Sequence, residues 1–143
     1  MSSQESNQEL VQKLYAAFGS GNLGYILDAC SANIDWEWVG PTAVPYGGRY
    51  AGKQGVEQFF SRLGQACDFK KFEPRDFFAQ GNNVLVLGYE EGIARPTGRS
   101  YQTSWVHVFT IQDGKVARFR EFADSYAVAM AFQGAPMPDG VVH

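Results

Sequence analysis

A histidine and a glutamate are the two side chains of this sequence best suited to moving a proton. His107 stands in the middle of SWVHVFTI, residues 104–111, an otherwise β-branched and aromatic run; the only other histidine is the last residue, His143. Alternation sends Tyr101, Thr103, Trp105, His107, Phe109 and Ile111 to one face of a strand, and Gln102, Ser104, Val106, Val108 and Thr110 to the other. The first set is bulkier and should face a core. His107 is then either a core residue with a satisfied hydrogen bond or the working group of a pocket.

Glu121 joins it through the register of the next strand. A two-residue Asp113-Gly114 turn would place Arg118 and Arg120 on the His107 face. A three-residue turn with a glycine bulge would place Ala117, Phe119, Glu121 and Ala123 there instead. Burying two arginines among aromatics is costly unless both are paired, so the second register is preferred. It sets an inward imidazole beside an inward carboxylate, the pairing that general acid–base chemistry uses.

The elements that must position them read as helices followed by a meander. Ser6 and Glu9 form a capping box, ahead of Leu10, Val11, Leu14, Tyr15 and Phe18 on one helical face. A short second helix starts near Asn22. IDWEWV, residues 34–39, alternates as a strand with Trp36 and Trp38 on one side. GPTAVPYGGRYAG reads as a loop, and Val56, Phe59, Phe60, Leu63 and Cys67 mark a third helix. Strands near 69–80, 83–95, 99–112 and 115–124 follow, separated by short glycine-containing turns, so they are antiparallel neighbours. SYAVAMAF closes the pattern as a helix capped by Asp124 or Ser125. The class is α+β, with helices on one face of a curved, mostly antiparallel sheet.

Composition narrows the function classes. A chain of 143 residues with 45% hydrophobic and 19% charged residues reads as a single domain over 1–143, with its core at about 6–132 and a loose tail over 133–143. A net charge of −3 with no basic cluster excludes general attraction to nucleic acid or to anionic membranes. No apolar signal core or membrane span is visible, so a cytoplasmic location is expected. Cys30 and Cys67 fall in apolar helical patterns and are expected to be buried thiols. No phosphate loop, dinucleotide fingerprint, nucleophile elbow or metal-spaced cluster is present, so neither a cofactor nor a metal is expected.

The order of VQKLYAAFGSGN, YGGRYAGKQGVEQFF, RPTGR and HVFTIQDGKVARFREFAD resembles the nuclear transport factor 2-like superfamily, and within it the SnoaL-like and ketosteroid isomerase-related small proteins. The resemblance spans about residues 6–132. It implies a cone-shaped α+β roll of the cystatin-like kind, with a deep apolar pocket at the wide end and dimers through the back of the sheet. By the same resemblance, the acid/base position of SnoaL-like polyketide cyclases falls on Glu121, where the cyclases carry aspartate. Their pocket histidine falls on His107. The ketosteroid isomerase pattern fits less well: its first-helix tyrosine position falls on Leu14, with Tyr15 displaced by one residue, and its base position falls on Glu37 or Trp38.

The expected protein therefore binds a small hydrophobic, ring-bearing molecule. Glu121 and His107 are the candidate catalytic pair of a cofactor-free isomerase, cyclase or hydratase. Trp36, Trp38, Tyr46, Phe59, Phe60, Tyr101, Trp105, Phe109 and Phe119 are the candidate ligand-binding residues, and Tyr46 or Tyr101 could help hold a developing enolate. One of Glu90 and Glu91 must also face inward; alternation alone leaves open which. A non-catalytic binding module or an interaction domain of the same fold is the alternative. Val106, Val108 and Thr110 form an outer stripe through which a homodimer is expected.

Overall fold

A computed structural model describes residues 3–134. Helix α1 (Ser3–Gly19) buries Val11, Leu14 and Ala17, one side of a helical repeat. It is already under way at Ser3, so Ser6 and Glu9 lie inside it and do not cap its start. The asparagine expected to open the second helix does so: Asn22 Oδ1 accepts from the Tyr25 N–H at 3.1 Å, at the head of α2 (Leu23–Ala29). Strand β1 (Cys30–Val39) follows directly and buries Ile34, Trp36 and Trp38.

The glycine-rich stretch after β1 is not all loop. Gly48–Ala51 forms a short strand, β2, antiparallel to β1, with Trp36 opposite Tyr50. Only Tyr50 of its four residues is buried, too little alternation to read as a strand. Helix α3 (Gly52–Ala66) buries Val56, Phe59 and Leu63. Then come β3 (Cys67–Gln80), β4 (Asn83–Ala94), β5 (Arg99–Gln112), β6 (Lys115–Ala123) and α4 (Ser125–Phe132). Asp124 is the cap of α4, accepting from the Ala127 N–H at 3.2 Å. Cys30 and Cys67 are the first residues of strands rather than members of helices, and both are buried free thiols. Most of the expected tail, from residue 135 on, lies outside the described residues, as does His143.

The six strands form one sheet in the order β2-β1-β6-β5-β4-β3, antiparallel throughout except for the parallel β1–β6 pair. Register shifts interrupt β1 between Cys30 and Asp35, β3 at two places, and the β5–β6 pair between Thr110 and Ile111. Each shift bends the sheet and adds to its twist, and the sheet curves around the helices. Pro74 sits at one of these shifts on β3, an edge strand, where its missing N–H costs no ladder bond. Helix α1 packs on β3 and β4, α3 on β1 and β2, and α4 on β5.

The β5–β6 turn combines features of both registers weighed for it. Asp113 and Gly114 form a two-residue turn, both with positive φ (52° and 75°). Gln112 pairs with Lys115 and Ile111 with Val116, but Thr110 pairs with Arg118. Ala117 is thus the extra residue of a bulge, and Val116 takes the inward place expected for it. Beyond the bulge the phase is reversed: Phe119 and Glu121 face inward, and His107 lies directly opposite Glu121. Arg118 and Arg120 face outward beside β1, with Arg120 Nε 3.3 Å from Glu37 Oε1 and Arg118 Nε 3.8 Å from Asp35 Oδ2.

Candidate functional site

A cavity of about 70 Å³ lies between the concave sheet face and helices α1, α2 and α3. Its walls are mostly aromatic. Trp36 and Trp38 come from β1, Tyr46 from the following loop and Phe59 and Phe60 from α3; Phe109 and Phe119 come from β5 and β6. Trp36 stacks on Phe119, its neighbour across the parallel pair, with ring centroids 4.0 Å apart. Among the sequence-derived ligand candidates, Tyr101 and Trp105 are buried on the same face but do not border the cavity. The Trp105 ring instead stacks on His107, at 3.8 Å between centroids, and holds the imidazole from behind.

The polar groups on this wall are few and close together. His107 is 4% exposed and Glu121 8%, so both sit where an unpaired charge would be expensive. His107 Nδ1 is 2.7 Å from the Tyr15 hydroxyl, and His107 Nε2 is 3.1 Å from Glu121 Oε1. The second approach is bent, so Nε2 has a close electrostatic partner but no aligned hydrogen bond. Burial, with Glu121 adding to it, pushes the Tyr15 phenol far above its ordinary value. A phenol that keeps its proton can donate it to Nδ1, and in that tautomer the imidazole presents its own N–H at Nε2 toward Glu121.

Tyr15 was assigned to a helix face and set one residue away from the useful position, yet it and Leu14 both reach the cavity. Tyr15 runs parallel to the His107 ring of β5 at 5.9 Å, and Leu14 beside it borders the cavity as well. Glu90, not Glu91, is the inward member of its pair. The signal was present in the sequence: β4 pairs with β5 without a bulge, and the phase set by Val84 and Val86 carries through to Glu90. Glu91 lies on the opposite face, where it accepts from the Tyr89 hydroxyl at 2.7 Å. Phe18, expected only as part of the apolar face of the first helix, also borders the cavity, as do Phe69 and Phe72, which no sequence pattern singled out.

The arrangement is an aromatic-walled cavity with an imidazole–carboxyl pair on one wall, a pair of groups able to accept and return a proton. Among the described residues no cluster of three or more histidine, cysteine or acidic side chains could hold a metal ion, and no helix is long and apolar enough to cross a membrane.

Comparison with known proteins agrees with the architecture. The SnoaL-like domain model matches residues 11–119. An NTF2-like protein from Burkholderia xenovorans is 29% identical, with 92% of this chain and 98% of that one covered and a TM-score of 0.84. A second NTF2-like protein, from Burkholderia thailandensis, is 26% identical, with coverage of 89% and 97% and a TM-score of 0.80. TerC, co-crystallised with polyporic acid, is 25% identical, with coverage of 90% and 99% and a TM-score of 0.74. No curated protein matches the chain. The helix order, the six-stranded sheet and the match over residues 11–119 agree: the chain belongs to the SnoaL-like domain family and has the NTF2-like fold.

Proposed function

We propose that the cavity, enlarged from the 70 Å³ seen here as its aromatic side chains part, binds a small, ring-bearing, carbonyl-containing molecule and that His107 and Glu121 move a proton on it. The reaction class is cofactor-free cyclisation, isomerisation beside a carbonyl, or hydration. The observation that carries this reading is the buried Glu121 carboxylate 3.1 Å from a buried imidazole, both on the wall of an otherwise apolar cavity. Buried ionisable groups are expensive, and an apolar pair would pack this wall at lower cost. The similarity to TerC, crystallised with polyporic acid, adds support for a small-molecule ligand.

In this mechanism Glu121 takes a proton from the carbon beside the substrate carbonyl, and the C–H electron pair moves into an enolate. The Nε2–H of His107 turns from the carboxylate to the developing oxyanion. Glu121, now a carboxylic acid, returns its proton to the acceptor carbon and the enzyme is restored. Tyr15 is a positioning residue, holding the tautomer through Nδ1. Trp36, Trp38, Tyr46, Phe59, Phe60, Phe109 and Phe119 supply the apolar enclosure, which strengthens each polar contact inside it. Tyr101 and Trp105 act from behind the wall.

The outer sheet face carries Leu85 and Leu87 of β4, Val106 and Val108 of β5, and Phe122 of β6; Leu87, Val106 and Phe122 align across three strands. A second copy of the chain covers this face, forming an isologous dimer. The working compartment is the cytoplasm, in keeping with two free buried thiols.

The test begins with native mass spectrometry of gently purified protein, which should show a small ring-bearing adduct. With that molecule as substrate, Glu121→Gln should keep its affinity and lose most turnover. His107→Phe and the double variant should be strongly non-additive with it. Undiminished turnover by Glu121→Gln would move the chain to the class of binding modules.

A further inference from the structure

The proton pair does not account for the other carboxyl group of the cavity. Glu90 is 5% exposed, lines the same chamber, and lies on β4 opposite Thr103 of β5, one strand over and four residues along from His107. Its surroundings are specific. The inner face of β4 on either side of it is bare, because Gly88 and Gly92 leave room for two rings of β5. A Cβ at Gly88 would overlap the Trp105 ring, and one at Gly92 would lie 2.7 Å from the Tyr101 hydroxyl. The freed space lets Tyr101 reach across and donate to Glu90 Oε2 at 2.7 Å, while Cys67 Sγ approaches the same hydroxyl at 2.9 Å. With the phenol proton given to Glu90, the thiol is the donor of that second contact. Among the described residues Glu90 Oε1 has no hydrogen-bond partner.

No cation faces Glu90 to pair a negative charge there, and only the Tyr101 hydrogen bond favours one. The titratable groups facing it are Tyr101 of β5, Cys67 at the start of β3, Tyr46 of the loop after β1 and Glu121 of β6. Burial, followed by the Glu121 charge, pushes the Glu90 carboxyl up to about 8, against the smaller opposing effect of the Tyr101 hydrogen bond. At neutral pH the group is an acid with its Oε2 side already engaged, so its proton rests on the free Oε1.

We propose that Glu90, braced by Tyr101 and Cys67, is a second polar pole of the cavity that donates a hydrogen bond to an acceptor oxygen at the end of the ligand remote from His107 and Glu121. This builds on the reading of the cavity as a ligand site and narrows the substrate class: a neutral ring system oxygenated at both ends, with a carbonyl at the proton-transfer end and an uncharged acceptor oxygen at the other. A carboxylate at the second end is disfavoured, because the cavity lining has no lysine or arginine to pair a buried anion.

The probes are 6-methoxy-1-tetralone and 6-ethyl-1-tetralone, equal in size and different only in the acceptor oxygen, with binding followed by calorimetry. At pH 6 the wild-type protein should prefer the methoxy compound by roughly 2- to 13-fold, the range of one neutral hydrogen bond. The preference should vanish as the pH passes about 8, where Glu90 ionises. Glu90→Gln keeps a donor and should hold the preference at all pH values; Glu90→Leu should abolish it. Equal affinity for the two probes at pH 6, no binding of either at millimolar concentration, or a preference unchanged up to pH 10 would each overturn the proposal. Glu121→Gln separates the two claims: it should retain the methoxy preference even where proton transfer is lost.

Discussion

Replacing Tyr15 by phenylalanine removes one oxygen atom and tests how the imidazole is set. The hydroxyl bonds His107 Nδ1 at 2.7 Å, and that nitrogen has no other partner in a site that is 4% exposed. Leaving a buried acceptor unsatisfied costs about 1–3 kcal/mol, partly offset because the phenol itself no longer has to be buried. The tautomer should respond as well. Losing a hydrogen bond net worth about 0.5–1.5 kcal/mol shifts the balance between Nε2–H and Nδ1–H by roughly 2- to 13-fold. Nitrogen-15 NMR of the ring reads this directly, because protonated and unprotonated imidazole nitrogens resonate far apart. The wild type should show Nε2–H, and Tyr15→Phe should show a mixture shifted toward Nδ1–H. Turnover should fall by less than in Glu121→Gln, with KM nearly unchanged. A wild-type ring protonated on Nδ1, or a tautomer balance indifferent to Tyr15, would refute the positioning argument.

Other consequences can be measured without a substrate. Glu90 holds its proton more tightly folded, at about 8, than an unfolded glutamate at its ordinary value of 4.5. The native state therefore binds more protons than the unfolded state between those values. Stability should be fullest below pH 4.5, so far as this group is concerned, and fall by about 1.4 kcal/mol per pH unit up to about pH 8. Urea titrations across this window should show a flatter slope for Glu90→Gln, and parallel slopes would contradict the buried neutral acid. Gly88→Ala pushes a methyl into the Trp105 ring and should cost about 1–3 kcal/mol by the same assay. Val106→Glu, in the outer row with Leu87 and Phe122, should convert a dimer to a monomer in sedimentation; a wild type already monomeric at micromolar concentration counts against that interface.

Strands β3 to β6 were legible because their period of two runs long and their turns carry glycine. The inward set from Tyr101 to Ile111 followed from the same alternation. Local pattern failed where tertiary contacts decide. The four residues of β2 become a strand only by lying beside β1, and the start of α1 extends upstream of a capping motif. The approach of Glu121 to His107 was anticipated, but by a turn of the wrong length. What reverses the phase is the bulge at Ala117, which no residue type announces. Tyr15 was the larger omission. Its role depends on the angle at which α1 crosses the sheet, a quantity set by the packing of Phe18, Phe69 and Phe72 and not by any spacing in the helix. Glu90 could have been assigned from Val84 and Val86 alone, had β4 been taken as free of bulges.

The central claim is that Glu121 transfers a proton inside the cavity, and deuterium exchange reads it without knowledge of the natural substrate. Proton NMR in D₂O should show the wild-type protein accelerating exchange at the carbon beside the carbonyl of 1-tetralone above the buffer rate. Glu121→Gln should bind the ketone equally well and lower the enzymatic rate by about 100- to 10,000-fold, the usual cost of losing a positioned acid/base group. Wild-type protein that binds the ketone without accelerating exchange, or a Glu121→Gln variant that exchanges it as fast as the wild type, would contradict the account.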